Sequence, residues 1–306
     1  MSGTVERYHR RMTLRYLDEA PDVLEALARV EVLYTDLDGT LLGRGASVLR
    51  DDTGEHTLDT ARAIVDINTA GLPVVMVSGR NFIQLAEDSR LLGWTDFIGE
   101  VGALRSTGRE RRVEYMLGDW TADQVPEEIT PYEAILEAGA LDLLETAFPN
   151  RIERHVPWDS DRVVTFILRG EVEIEEAQAV LDQIDLPVQI VDNGVIHPMN
   201  HGLVGVETIH AYHLVPKGTS KVRAIRYDLE SRGLRPEQAA AIGDSRADLD
   251  MAEAVGVMVI VANGLDVPAL RDRLAETPNA VATRKRQGHG WAEFADAWLA
   301  ARAGLD

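Results

Sequence analysis

Two aspartates at alternate positions, Asp36 and Asp38, close the apolar run Val30-Glu-Val-Leu-Tyr-Thr35 and are followed by Gly39-Thr40. In a strand, residues i and i+2 point to the same side, so both carboxylates face one small volume. Two adjacent carboxylates repel, and a divalent cation offsets that cost most simply. Magnesium prefers oxygen ligands and keeps several waters, which leaves room for a phosphate oxygen. With the charge screened, one aspartate can attack phosphorus to form an acyl phosphate while the other passes a proton to the leaving oxygen. The same letters also read as a strand followed by an Asx turn, with Asp-Gly serving only as turn chemistry.

Three later stretches carry compatible chemistry. Leu72 to Val77 reads as a buried strand that runs into Ser78-Gly79-Arg80 and then a helical pattern. A hydroxyl and free backbone N–H groups at such a junction converge on one anion, or the serine is a plain helix cap. Lys221 falls in the first turn of a helix that ends near Gly233, where the helix dipole disfavours a cation. A bound anion removes that conflict; so does solvent, if the lysine is exposed. Finally, the strand Ala239 to Ile242 ends in Gly243-Asp-Ser-Arg-Ala-Asp248. If a helix starts after Asp244, Asp248 lies one turn along and can turn to the same point.

The elements needed to gather these residues follow the rhythm β-α-β-α-β. The strand from Val30 leads to a helix from about Thr57 to Gly71, then the strand ending at Val77, a helix reaching Gly93, and a strand at Asp96 to Ile98. This predicts an α/β fold with a doubly wound, mostly parallel, Rossmann-like sheet, whose ligands sit beyond the strand ends. From 106 to 205 the pattern changes. Helices at Pro131 to Phe148 and Glu173 to Ile184, with strands at Val163 to Leu168 and Pro187 to Val191, predict an inserted α+β domain. The catalytic core is then 30–105 and 206–306, with strand Val257 to Ala262 and a closing helix Trp291 to Leu299. Residues 1–29 form a helical extension interrupted by Pro21. Four histidines, His197, His201, His210 and His213, fall near the far end of the insert, but Pro198 and Gly202 break helical ligand spacing. No zinc site is assigned to them, and some are expected where insert meets core.

Composition narrows the partners. A formal charge of -20 over 306 residues opposes a nucleic-acid backbone or an anionic membrane, so neither is expected as a partner. An anionic substrate needs a locally positive site, supplied by a metal ion and a few basic side chains. With no cysteine, thiolate nucleophiles and thiolate metal sites are excluded, leaving oxygen ligands and histidine. The charged N-terminal residues do not read as a signal peptide, and no apolar run approaches a membrane span, so a cytoplasmic setting is expected.

Taken in order, Asp36-Leu-Asp-Gly-Thr, Val77-Ser-Gly-Arg, Lys221 and Gly243-Asp-Ser-Arg-Ala-Asp resemble the motifs of the haloacid dehalogenase-like hydrolase superfamily, in its phosphatase branch. An insert between the serine and lysine elements resembles the C2-type cap of Cof-like and sucrose-phosphatase-like members. The resemblance implies Asp36 as nucleophile and metal ligand. It implies Asp38 as general acid and base that also offers its backbone carbonyl to Mg2+. Ser78, Gly79 and Lys221 are then substrate-binding, with Asp244 and Asp248 holding the metal or its waters. Two departures stand out: Val101-Gly-Ala103 where many relatives have Asn-Gly-Ala, and Ala247-Asp248 where many have Asn-Asp. The second removes an amide that contacts phosphate, so either substrate positioning differs or Asn263 compensates. The expected activity is magnesium-dependent hydrolysis of a small phosphorylated metabolite, a sugar or polyol phosphate, through an aspartyl phosphate. The alternatives are a phosphomannomutase-like phosphotransferase and a non-catalytic phosphometabolite-binding protein.

Overall fold

The central strand β1 (Val32–Thr35) is buried along its whole length, and its side chains alternate between two cores: Leu33 enters one, Val32 and Tyr34 the other. The same split recurs in β2 (Val74–Val77) and β10 (Ala239–Gly243), which flank β1 in parallel. A strand covered on both faces must be apolar on both, which is why these segments read as continuous hydrophobic runs. In this computed structural model, residues 13–121, 124–125, 128–196 and 200–304 are described.

The sheet continues through β3 (Asp96–Gly99) on one side and β11 (Val257–Ile260) and β12 (Ala280–Ala282) on the other, all parallel. Beyond β3 an antiparallel hairpin, β4 (Leu104–Thr107) and β5 (Arg112–Tyr115), completes eight strands in the order β12-β11-β10-β1-β2-β3-β4-β5. One face is covered by α1 (Pro21–Leu27), α2 (Asp59–Ala70), α3 (Phe82–Leu92) and α10 (Gln287–Ala303), through Leu27, Ile67, Leu85 and Trp291. The other is covered by α7 (Lys221–Arg232), the short α8 (Arg246–Leu249) and α9 (Pro268–Glu276), through Ile225, Leu249 and Leu270. The expected α/β fold with a doubly wound sheet is present.

A second sheet, β6 (Ile152–Arg154), β7 (Phe166–Gly170), β8 (Val188–Val195) and β9 (His210–Pro216), is wholly antiparallel in the order β6-β7-β9-β8. One of its faces packs on α4 (Pro131–Glu137), α5 (Ala140–Ala147) and α6 (Ile174–Leu181) through Phe166, Leu168, Tyr212 and Leu214. Side chains of opposite parity on the same strands, Ile167 and His213 among them, turn toward the large sheet.

Sheet membership divides the chain differently from the expected insert at 106–205. The β4–β5 hairpin belongs to the large sheet, and β9 belongs to the small one. Pairing decides both cases: Phe97 faces Ser106 across the β3–β4 ladder, and Tyr212 faces Leu168 across β7–β9. The single helix expected over Pro131 to Phe148 is two, broken at Gly139 in a left-handed conformation (φ 77°). In the N-terminal extension, the first expected helix is a three-residue 3-10 turn, Leu17–Glu19, and Pro21 opens α1 instead of interrupting a longer helix. Residues 1–12 and His197 lie outside the described residues.

Candidate active site

Parallel strands in register deliver their carboxyl ends to one edge. Thr35 is opposite Ile242 on β10 and Met76 on β2, so Asp36, Gly243-Asp244 and Ser78 all emerge at the same rim. The amide of Asp36 donates to the carbonyl of Ile242 at 3.0 Å, continuing the ladder by one step. Gly39, at φ 83°, then reverses the chain, and a Cβ there would fall 2.3 Å from Asp244 Oδ2. Only a glycine lets that loop close over the second acidic element.

The aspartates from the two strands do meet. Carboxylate oxygens of Asp36, Asp244 and Asp248 lie within 4.8 Å of one another. Lys221, at the first position of α7 and almost fully buried, reaches Asp36 Oδ1 at 3.1 Å and Asp248 Oδ1 at 2.7 Å. The lysine is therefore not an exposed, solvent-screened cation. Thr40 Oγ1 bridges the cluster at 3.2 Å from Asp36 Oδ2 and 3.4 Å from Asp244 Oδ1.

Electrostatics separate the three acids. Burial pushes the Asp36 carboxyl up to about 7; Lys221 partly offsets this, and the charges of Asp248 and Asp38 add to it. Asp244 is raised well above the usual carboxylate range by burial and by facing Asp36 and Asp248. For Asp248 burial also acts upward, but Lys221 and the Ser245 hydrogen bonds outweigh it and the net direction is down. Its Oδ2 accepts from Ser245 Oγ at 2.6 Å and from the amides of Ser245 and Asp244. Asp248 thus grips the lysine and closes the first turn of α8, while Asp36 and Asp244 hold charge they are poorly placed to keep.

An all-oxygen donor set in which two carboxylates resist ionisation is a fit for a hard divalent cation, whose charge would restore both to the ionised form. Asp38 contributes no side-chain oxygen to that set. Its carboxylate, half-exposed, is paired with Arg80 at 2.6 and 2.8 Å, and Arg80 also holds Asp88 at 2.8 Å. Ser78, 2% exposed, lies three residues before Asn81, the residue that caps α3, so it is not that helix's cap. Gly79 sits where a Cβ would fall 2.7 Å from Asn193 Nδ2 and 3.1 Å from His213 Nε2. A side chain here would strike the small sheet.

The family model described as haloacid dehalogenase-like hydrolase matches residues 204–267, which include Lys221, Asp244 and Asp248. Among curated proteins, the phosphoglycolate phosphatase of Methanoculleus marisnigri is 27% identical over 76% of this chain and 85% of its own length. That of Methanopyrus kandleri is 28% identical over 84% of this chain and 96% of its own length. In fold, the chain is similar to the sucrose-phosphatase of Synechocystis sp. PCC6803, solved with sucrose and phosphate. The TM-score is 0.61 at 15% identity, covering 88% of this chain and 97% of that one.

Over residues 204–267 the chain is similar to the haloacid dehalogenase-like hydrolases. Together with the acidic cluster, these likenesses support an enzyme of the phosphatase kind acting on a small phosphorylated compound. Asn263 does not replace the amide absent at Ala247: its Nδ2 is spent on Gly39 O at 2.8 Å and Asp244 Oδ2 at 3.0 Å. It orients the carboxylate of Asp244 instead.

In this hydrolase a cavity of about 710 Å3 opens between the cluster and the small sheet. Its far wall holds His155, Arg162, Asn193 and His213. Sequence reasoning passed over Arg162, His155 and Asn193, because no motif or spacing marks them. Thr40 and Arg80 were adjacent to recognised elements and could have been taken from them. His213 was placed only loosely, where insert meets core, and it does line that junction. His210, from the same group, instead pairs with Asp192 at 2.8 Å on the small sheet.

Proposed function

We propose that this hydrolase is a magnesium-dependent phosphatase that cleaves a small phosphorylated metabolite through an aspartyl phosphate, with the segment between β5 and α7 as its cap. The observation that supports this most is the meeting of Asp36, Asp244 and a buried Lys221 at the ends of adjacent parallel strands. Phosphoryl transfer depends chiefly on positioning and on neutralising the equatorial oxygens. Bound Mg2+ would be held by Asp36, Asp244, the backbone carbonyl of Asp38 and, directly or through water, Asp248. It would supply charge neutralisation for the incoming dianion.

The chain's own groups divide the remaining work. Asp36 attacks phosphorus; the ester P–O bond breaks, and Asp38 gives its proton to the leaving oxygen. Water then attacks the acyl phosphate, Asp38 takes a proton back, and inorganic phosphate leaves with Asp36 restored. Arg80 keeps Asp88 as partner, so its charge stays balanced when Asp38 turns inward. Ser78, the amide of Gly79 and Lys221 hold the phosphoryl oxygens. Transfer to a second hydroxyl, as in a phosphotransferase, would share the first half of this scheme.

Hydrolysis of p-nitrophenyl phosphate with and without Mg2+ tests the reading. Magnesium-dependent turnover is expected, with Asp36→Asn lowering it at least about a thousandfold while the fold persists. Binding of phosphate esters without any turnover would instead describe a sensor protein. For the substrate, the sequence favours a sugar or polyol phosphate and the two archaeal relatives are named for phosphoglycolate, so both types belong in a screen.

A further inference from the structure

Arg162 is a buried cation with no acidic partner. It is 8% exposed, lines the cavity opposite Asp36, and makes no salt bridge within 4.0 Å among the described residues. Its three hydrogen bonds all go to neutral acceptors: Nε to Trp158 O at 3.1 Å, Nη1 to Thr165 Oγ1 at 3.0 Å, and Nη2 to Gly79 O at 2.9 Å. The nearest acids are committed elsewhere. Glu100 accepts from the amides of Val163, Val164 and Thr165, and Asp159 from Tyr132, Arg154 and the amide of Ile167.

Glu100 and Asp159 offset this buried charge from a distance, but neither touches it, so its outward N–H groups are open to a further anion. A guanidinium has five N–H groups, and three bonds leave two free, one on each terminal nitrogen. Two N–H donors on one guanidinium can serve the two oxygens of a carboxylate.

His213 supplies a third donor beside them. It is fully buried, and its Nε2 has no partner. Thr165 Oγ1 already accepts from Arg162, so its proton is free for His213 Nδ1, 3.4 Å away. In the tautomer assigned from that bond, the imidazole hydrogen is on Nε2, beside the position a Cβ on Gly79 would take. The spacing is short: Arg162 is bonded to the carbonyl of Gly79, the residue after Ser78, and consecutive Cα atoms are about 3.8 Å apart.

We propose that Arg162 and His213 form the receptor for a carboxylate carried by the substrate only a few bonds from its phosphate, so that small phosphorylated acids are preferred over neutral sugar and polyol phosphates. This rests on the phosphatase reading for the position of the phosphoryl group. Ligand binding by Arg162 is nevertheless measured without turnover.

Phosphonopropionate and propylphosphonate have the same chain length, differ in the terminal carboxylate, and cannot be hydrolysed by this chemistry. Calorimetric titration in Mg2+ is expected to show about 10- to 100-fold tighter binding of phosphonopropionate to the wild type, the worth of a charge-assisted pair. Arg162→Met should bring the two affinities within about threefold of each other while leaving propylphosphonate binding unchanged, and Arg162→Lys should keep part of the preference. No preference in the wild type overturns the inference, and this arm needs no variant to fold. Equal weakening of both ligands by Arg162→Met also overturns it, since that pattern means the arginine only ties cap to core. Preference in binding without p-nitrophenyl phosphate turnover would sink the phosphatase reading alone, and turnover without preference would sink this inference alone.

Discussion

Asp244 shows how a single side chain can be arranged for charge it does not hold comfortably. Its Oδ1 faces Thr40 and its Oδ2 faces Asn263, so its position is fixed while burial and Asp36 oppose its ionisation. A residue held this way serves a ligand more than the fold. Asp244→Ala is therefore expected to raise the Mg2+ concentration for half-maximal activity at least about tenfold. In EDTA its melting temperature should stay level or rise, because a disfavoured buried carboxylate has been removed. A magnesium titration that overlays the wild type, or a collapse of metal-free stability, would show the residue to be structural.

Helix α7 carries function at its start and anchorage two turns later. Lys221 and Asp228 are seven residues apart, so the face that turns the lysine into the site also buries the aspartate. Asp228 accepts from Tyr34 on β1 at 2.7 Å, from Arg105 on β4 at 2.7 Å, and from Arg232 of its own helix at 2.6 Å. Asp228→Ala would leave Arg105, itself 7% exposed, with only Glu114 as an acidic partner. A loss of about 3–5 kcal/mol in urea unfolding is expected, with Asp228→Asn milder; an unchanged midpoint would remove the hub from the account. None of this was legible in the sequence, where a lone aspartate on a helix reads as solvated. By contrast, the apolar runs ending in Asp36, Ser78 and Asp244 were legible, because burial on both faces leaves no polar residue to interrupt them. Strand β9 escaped because His210-Ala-Tyr-His-Leu-Val-Pro216 alternates only weakly, and its burial, complete but for His210, becomes visible only once β7 and β8 lie beside it. Arg162 escaped for a related reason: its meaning depends on nearby acids, Glu100 and Asp159, being bonded to other groups and not to it.

At the scale of the molecule, the two sheets are joined across the cavity by hydrogen bonds from Arg162 to Gly79 O, from Asn81 to Ser160 O, and from three backbone amides to Glu100. The seam buries imidazole as well. His155 is pushed down to about 4, first by burial and then by Arg169 and Arg162, against the smaller opposing effects of Asp159 and Glu153. Such a group is neutral in the folded chain and protonated in the unfolded chain between its folded value and the ordinary 6.5, so the unfolded state binds more protons there. Its contribution is fully present above about pH 6.5 and declines as pH falls toward 4. Asp36 has the opposite sign in metal-free protein: its raised carboxyl binds a proton in the folded state, which favours folding as pH drops from about 7. The two are separated by difference. His155→Gln should lose less stability than wild type between pH 7 and 5, by about 1–2 kcal/mol or several degrees in melting temperature, because Asp36 titrates alike in both proteins. Parallel melting curves for the two across that range would mean that His155 is readily protonated in place, and that the seam tolerates a further cation beside Arg162 and Arg169.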